Sequence, residues 1–114
     1  MKKIIGLFLL ALIAACTYPK VQQDLSIGKQ LSFQRNKGNC LACHAIEDGE
    51  APGNIGPALV NISTRFTTKT DLKALIWDAT QFNAQTSMPP FGRNKILTPD
   101  ELNHVVDYIW SLNR

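Results

Sequence analysis

The stretch Cys40-Leu41-Ala42-Cys43-His44 decides how this chain is read. Two thiols three residues apart lie on one turn, and a histidine follows at once. That spacing is the attachment motif for haem c. Each thiol can reach one vinyl group of the same porphyrin, and the adjacent imidazole is presented to the iron. A thioredoxin-like dithiol expects a βαβ context, which the flanking sequence lacks. A structural zinc site needs two further Cys/His ligands, and beyond His44 the only histidine is His104.

An iron held by His44 needs a sixth ligand or an open site. Apart from Met1, the one methionine is Met88, inside Met88-Pro89-Pro90-Phe91-Gly92. Two prolines stiffen that loop by fixing their own φ and lowering the entropy of the unfolded chain. A stiff loop holds a weak thioether on iron better than a floppy one, and Met/His ligation raises the reduction potential. The competing role for Met88 is core filler. Its preceding neighbours Gln85, Thr86 and Ser87 are polar, which favours the ligand. His104 is the other candidate. It lies about 160° around a helix from Leu102, outside the apolar stripe, and is expected as a solvated surface histidine. The imidazole of His44 should donate its second N–H to a carbonyl or carboxylate, with Gly56-Pro57 the candidate carbonyl. Trp77, Phe82, Phe91 and Tyr108 are expected in the pocket or the core, and Asp48 and Glu50 as solvated loop charge.

The N-terminus reads as an export signal. Lys2 and Lys3 precede a twelve-residue apolar run over residues 4–15, broken only by Gly6. A membrane span takes ~20 such residues, so this run is a signal-peptide core. Ile13-Ala14-Ala15-Cys16 resembles a lipobox, predicting cleavage before Cys16 and a lipid on that cysteine. Two or more acyl chains anchor a protein stably. Ordinary cleavage near Ala15, leaving Cys16 without a role, is the alternative. Thr17, where an Asp would favour the inner membrane, points to the outer membrane. The expected location is the periplasm, with a lipid anchor.

These assignments close two accounts. Of three cysteines, one takes lipid and two take haem, so none remains for a disulfide in an oxidising compartment. The whole chain has 12 Lys+Arg against 9 Asp+Glu. Loss of Lys2 and Lys3 leaves it nearly neutral, which gives no support for nucleic-acid binding.

The expected organisation is a signal over 1–15, a polar tether over 16–23 and one domain over 24–114. Asp24 or Ser26 is expected to cap a first helix ending near Lys37, with Gly38 as its stop. Gly28 and Ser32 would form a small, flat spot for close helix contact. Thr70 is expected to cap a second helix to about Ala79, with Leu72, Leu75, Ile76 and Ala79 inward. Thr98-Pro99-Asp100-Glu101 is a capping box with proline at the first helical position. It should start a last helix ending near Leu112, with Leu102, Val105, Val106, Ile109 and Trp110 inward. Residues 45–69 and 80–97 read as loops. Loops that long in so small a domain need something other than protein to pack on, and a haem would serve. The fold class is therefore all-α, with helices at both ends and in the middle.

Lys37-Gly38-Asn39 before the motif, and Pro52-Gly53-Asn54-Ile55-Gly56-Pro57 after it, resemble the haem region of the SoxX family. Met88-Pro89-Pro90-Phe91-Gly92, Ile96-Leu97-Thr98 and the stretch from Val105-Val106 to Leu112 are similar to its C-terminal half. The resemblance implies a small class I cytochrome c-like domain whose terminal helices pack together around one covalent haem. It implies attachment at Cys40 and Cys43 and axial ligands His44 and Met88. It also implies a partner, the SoxA-like cytochrome subunit. Together they would join thiosulfate oxidatively to a cysteine of the carrier SoxYZ, as an L-cysteine S-thiosulfotransferase. The catalytic haem would belong to the partner, and this chain would pass electrons to a downstream cytochrome. The lipobox departs from soluble members of that family. A free-standing electron carrier and a ligand-binding haem sensor are the other readings.

Overall fold

The computed structural model describes residues 19–113. The expected signal and Cys16 lie outside the described residues. Three α-helices follow in order, α1 (Lys20–Phe33), α2 (Lys69–Trp77) and α3 (Pro99–Trp110). Short 3-10 turns occur at Cys40–Ala42, Ile62–Thr64 and Ala79–Gln81. The described residues contain no strand, so the chain is all-α, as its periodicity predicts.

The helix α3 is built as its sequence dictates. The Thr98 hydroxyl accepts from Glu101 N–H at 3.2 Å, and the Glu101 carboxylate accepts from Thr98 N–H at 2.9 Å. Pro99 stands where a missing N–H costs nothing. Leu102, Val105, Val106, Tyr108 and Ile109 are buried. Tyr108 widens the expected stripe because α3 is covered on more than one side: α1 packs on it extensively, and α2 packs on it too. The helix ends at Trp110, two residues short of Leu112.

Two helix starts differ from expectation. α1 begins at Lys20, with Pro19 before it and no side-chain cap. The Pro19 carbonyl takes Gln22 N–H at 2.9 Å, so Asp24 and Ser26 fall inside the helix and the last part of the expected tether is helical. The helix ends at Phe33, yet Gly38 still serves its end, donating its N–H to the Leu31 carbonyl at 3.0 Å. That satisfies one of the carbonyls a helix leaves open at its C-terminus. α2 is capped by Thr68, not Thr70. The residue three beyond Thr68 is Asp71, which returns the bond at 3.0 Å. Three beyond Thr70 is Lys73, which has no acceptor. Asp78 turns extended (φ −158°, ψ 92°), so α2 stops at Trp77 and Ala79 belongs to the next turn.

α1 crosses α3 at the predicted small spot. A methyl group on Gly28 would collide with the His104 carbonyl oxygen and lie 2.7 Å from Tyr108 Cβ. Both are fixed parts of α3, so only glycine permits this approach. Ser32 is fully buried and donates to the Gly28 carbonyl at 2.8 Å. Phe33 meets Tyr108 edge-on, with ring centroids 6.4 Å apart. The crossing also corrects His104. It is half-buried against α1, its Nδ1 4.0 Å from Asp24, instead of solvated.

The core gathers Leu31, Ile46, Ile62, Leu72, Ile76, Phe91 and Leu97 around the α3 stripe. Lys29–Asp48 and Lys69–Asp107 pair on the surface, where such pairs contribute about 0–1 kcal/mol each.

Candidate cofactor site

The CxxCH motif sits on a tight turn. Asn39 enters it in the left-handed region (φ 48°, ψ 37°). Asparagine tolerates this better than most residues. Cys43 N–H (3.2 Å) and His44 N–H (2.9 Å) then both donate to the Cys40 carbonyl. This coil places both thiols and the imidazole on one wall. The long segment that follows is stitched back onto the same wall. Gly53 N–H reaches the Leu41 carbonyl, Gly56 N–H the Cys43 carbonyl and Leu59 N–H the Ala45 carbonyl, all at 2.8 Å.

The wall borders a cavity of about 680 Å³, within the range of small-molecule and cofactor sites, ~300–1,000 Å³. Cys40, Cys43, His44 and Met88 all line it. The rest of the lining is mainly apolar, including Leu59, Ile62, Leu72, Ile76, Phe91, Leu97, Val105 and Ile109. Arg35, Lys37 and Arg65 add positive charge to the lining. His104 is not part of it. The aromatic residues divide. Phe91 is a buried wall residue, Tyr108 belongs to the α1–α3 contact, and Phe82 borders the cavity while 62% exposed. Trp77 is 40% exposed and stands outside the lining.

His44 is held in one orientation. Its Nδ1 lies 2.6 Å from the Pro57 carbonyl, the partner expected from Gly56-Pro57. A carbonyl only accepts, so Nδ1 is the donor in this bond, and Nε2 is the nitrogen left to face a metal. Gly56 makes room for the ring. A methyl group there would collide with His44 Cε1 and lie 2.6 Å from Nδ1.

Cys40 and Cys43 are unbridged thiols. Burial pushes the Cys40 thiol up to about 11, against an opposing hydrogen bond with Ser32.

A haem fits these residues. The cavity is large and mainly apolar, and both thiols stand on one turn of its wall. One imidazole is oriented through its Nδ1, and a thioether lines the same cavity. When bound, haem supplies a one-electron Fe(III)/Fe(II) couple.

Two features escape a reading of the sequence alone. One is the steric role of Gly56 beside the ring. The other is a buried carboxylate, Asp78, paired with Arg93 at 2.7 Å. An Asp closing α2 two residues before Thr80 was the available signal. The partner fifteen residues on was not foreseeable.

Two carboxyls sit below the ordinary carboxylate range. Asp78 is lowered chiefly by the Thr80 hydroxyl, and Glu101 chiefly by the Lys37 ammonium 2.7 Å away. A lowered folded pKa means stabilisation that is complete above the unfolded value, about pH 4. It is lost as pH falls through the folded values. Unfolding midpoints should therefore decline below about pH 4, and Glu101→Gln should flatten part of that decline. An unchanged acid limb in that variant would contradict the assignment.

No curated protein matches the chain closely enough to count as a relative. The cytochrome c family matches residues 25–113, most of the chain and all of the site. With its thiols, locked imidazole and apolar cavity in place, this chain belongs to the cytochrome c family, and so to proteins that transfer electrons through covalently bound haem c.

Proposed function

We propose that this chain carries one haem c, bound through Cys40 and Cys43 with His44 and Met88 as axial ligands. Its role is that of a SoxX-like electron-transfer subunit. The observation that carries the ligand set is the shared cavity. His44 is fixed there by its Nδ1 hydrogen bond to the Pro57 carbonyl, and Met88 is the methionine that lines the same space. Two filled axial positions suit electron transfer and weigh against a sensor, which needs an open or displaceable site.

The chain's own residues perform three tasks. Pro57 and Gly56 orient the imidazole. The apolar walls exclude water, which holds down the reorganisation that accompanies each change of charge. The stiffened residues 88–92 keep a neutral, weak donor in reach.

Support for the thiosulfate pathway comes from the flanking strings, Lys37-Gly38-Asn39 and the segment from Met88 to Gly92. In this reading the partner is a SoxA-like cytochrome, SoxYZ is the indirect substrate carrier, and a further cytochrome takes the electrons. Co-purification with a second haem protein, and thiosulfate-dependent haem reduction in its presence, should follow. A monomer indifferent to thiosulfate in that assay would leave the free-standing carrier as the reading.

Lipid on Cys16 would tether the protein at the periplasmic side of a membrane, with the outer membrane favoured by Thr17. No described helix is long and apolar enough to cross a membrane. Cys16→Ser should move most of the protein from the membrane to the soluble fraction. Unchanged fractionation would argue against lipidation.

A further inference from the structure

The segment carrying Met88 leaves the end of α2 and returns beside it. Two sets of bonds close its base. Gly92 N–H and Arg93 N–H both donate to the Trp77 carbonyl, at 3.1 and 3.2 Å. Next to them lies Asp78, fully buried. Its carboxylate accepts from Thr80 N–H at 3.1 Å, Thr80 hydroxyl at 2.6 Å, Arg93 Nη1 at 2.7 Å and, more weakly, Gln81 Nε2 at 3.4 Å. Arg93 Nη1 also reaches the Thr80 hydroxyl at 3.2 Å.

These partners share one property. Thr80, Gln81 and Arg93 all belong to the segment running out to Met88 and back. The carboxylate therefore ties the two ends of that segment to each other. A buried carboxylate with charged and neutral donors is costly to strip of them, so the base resists opening. The prolines at 89 and 90 stiffen the tip. A thioether is neutral and weakly held, so its occupancy of an axial position depends on how often the segment presents it.

We infer that Asp78 and Arg93 form a clasp that positions Met88 as the sixth ligand, so that weakening the clasp opens the methionine side of the haem without freeing His44. The inference rests on Met88 being that ligand. Asp78 and Arg93 are positioning residues.

The test uses the holoprotein and its Asp78→Asn, Arg93→Gln and Arg93→Lys variants. Three quantities are measured: the ferric sulfur-to-iron charge-transfer band, the rate of CO binding to the ferrous protein, and the thermal midpoint. Loss of one charge-assisted bond at the base should raise CO binding about tenfold or more in Asp78→Asn, and weaken the band. Arg93 is half-exposed, so Arg93→Gln gives the same reading should Asp78→Asn fail to fold. Arg93→Lys, which keeps a cation beside the carboxylate, should recover most of the wild-type behaviour. A wild-type band with variants that melt lower yet bind CO at the wild-type rate would overturn the inference, leaving the pair merely structural. A wild-type protein with no band and free CO binding would instead remove Met88 as ligand, and the clasp's role with it.

Discussion

Met88→Ala is expected to abolish the sulfur-to-iron charge-transfer band, to lower the reduction potential and to open the iron to CO. A thioether is a soft donor that favours Fe(II). Water in its place favours Fe(III), so the potential falls by a substantial part of the ~0.8 V that axial ligation spans. Stability should fall as well. Met88 is half-buried and packs against the core, so its truncation should cost near the low end of Met→Ala values, about 2 kcal/mol. Potentiometry and CO titration on the purified variant give the answer. A retained band would exclude Met88 as ligand and shift attention to another donor.

Gly56→Val should act on the opposite side. The first carbon of the new side chain already collides with the His44 ring. Its branches have no better place, because the ring is pinned at 2.6 Å to the Pro57 carbonyl one residue on. Either the ring turns and loses that bond, worth about 1 kcal/mol, or the backbone shifts at an overpacking cost of about 1–3 kcal/mol. Both outcomes misplace the proximal donor. The expected result is poor haem incorporation in cells and, in whatever matures, a lower melting temperature with an altered spin state. A normal yield with a wild-type spectrum would show that the ring does not sit against residue 56. The two variants differ in signature: Met88→Ala leaves attachment intact, whereas Gly56→Val impairs it.

What the sequence reveals about this fold depends on how local each determinant is. The Cys40–His44 motif and the Thr98–Glu101 box are complete within a few residues, and both stand where the sequence places them. Gly28 beside Ser32 foretells the close crossing, because four-residue spacing and small side chains suffice for a contact surface. The start of α1 is not legible, since no side chain caps it and Pro19 acts only through its carbonyl. The start of α2 is displaced because two threonines compete, and the choice between them depends on Asp71 lying three residues after Thr68. His104 is misread for a different reason. A helical wheel ranks faces by hydropathy, yet α1 meets α3 through Gly28, and this close backbone approach half-buries a histidine on the flank.

The site divides in the same way. Both thiols, the imidazole and Met88 border one cavity, and the imidazole meets the expected Gly56-Pro57 carbonyl, an arrangement that the motif and the single proline-flanked methionine point to. The Asp78–Arg93 pair is not legible in this way. It joins the two ends of an irregular segment, and nothing periodic in the intervening residues marks where that segment closes. Long loops in a small domain signal that something other than protein fills the interior. The residues that hold those loops shut become visible only in three dimensions.

Everything proposed for this chain depends on a haem covalently held by Cys40 and Cys43. The most direct measurement is the intact mass of the mature chain, matured in cells and analysed under denaturing conditions. The expected mass is that of the polypeptide plus one haem that survives denaturation, with one of its two thioether links lost in Cys43→Ser. A bare polypeptide mass, with haem released on unfolding, would contradict it.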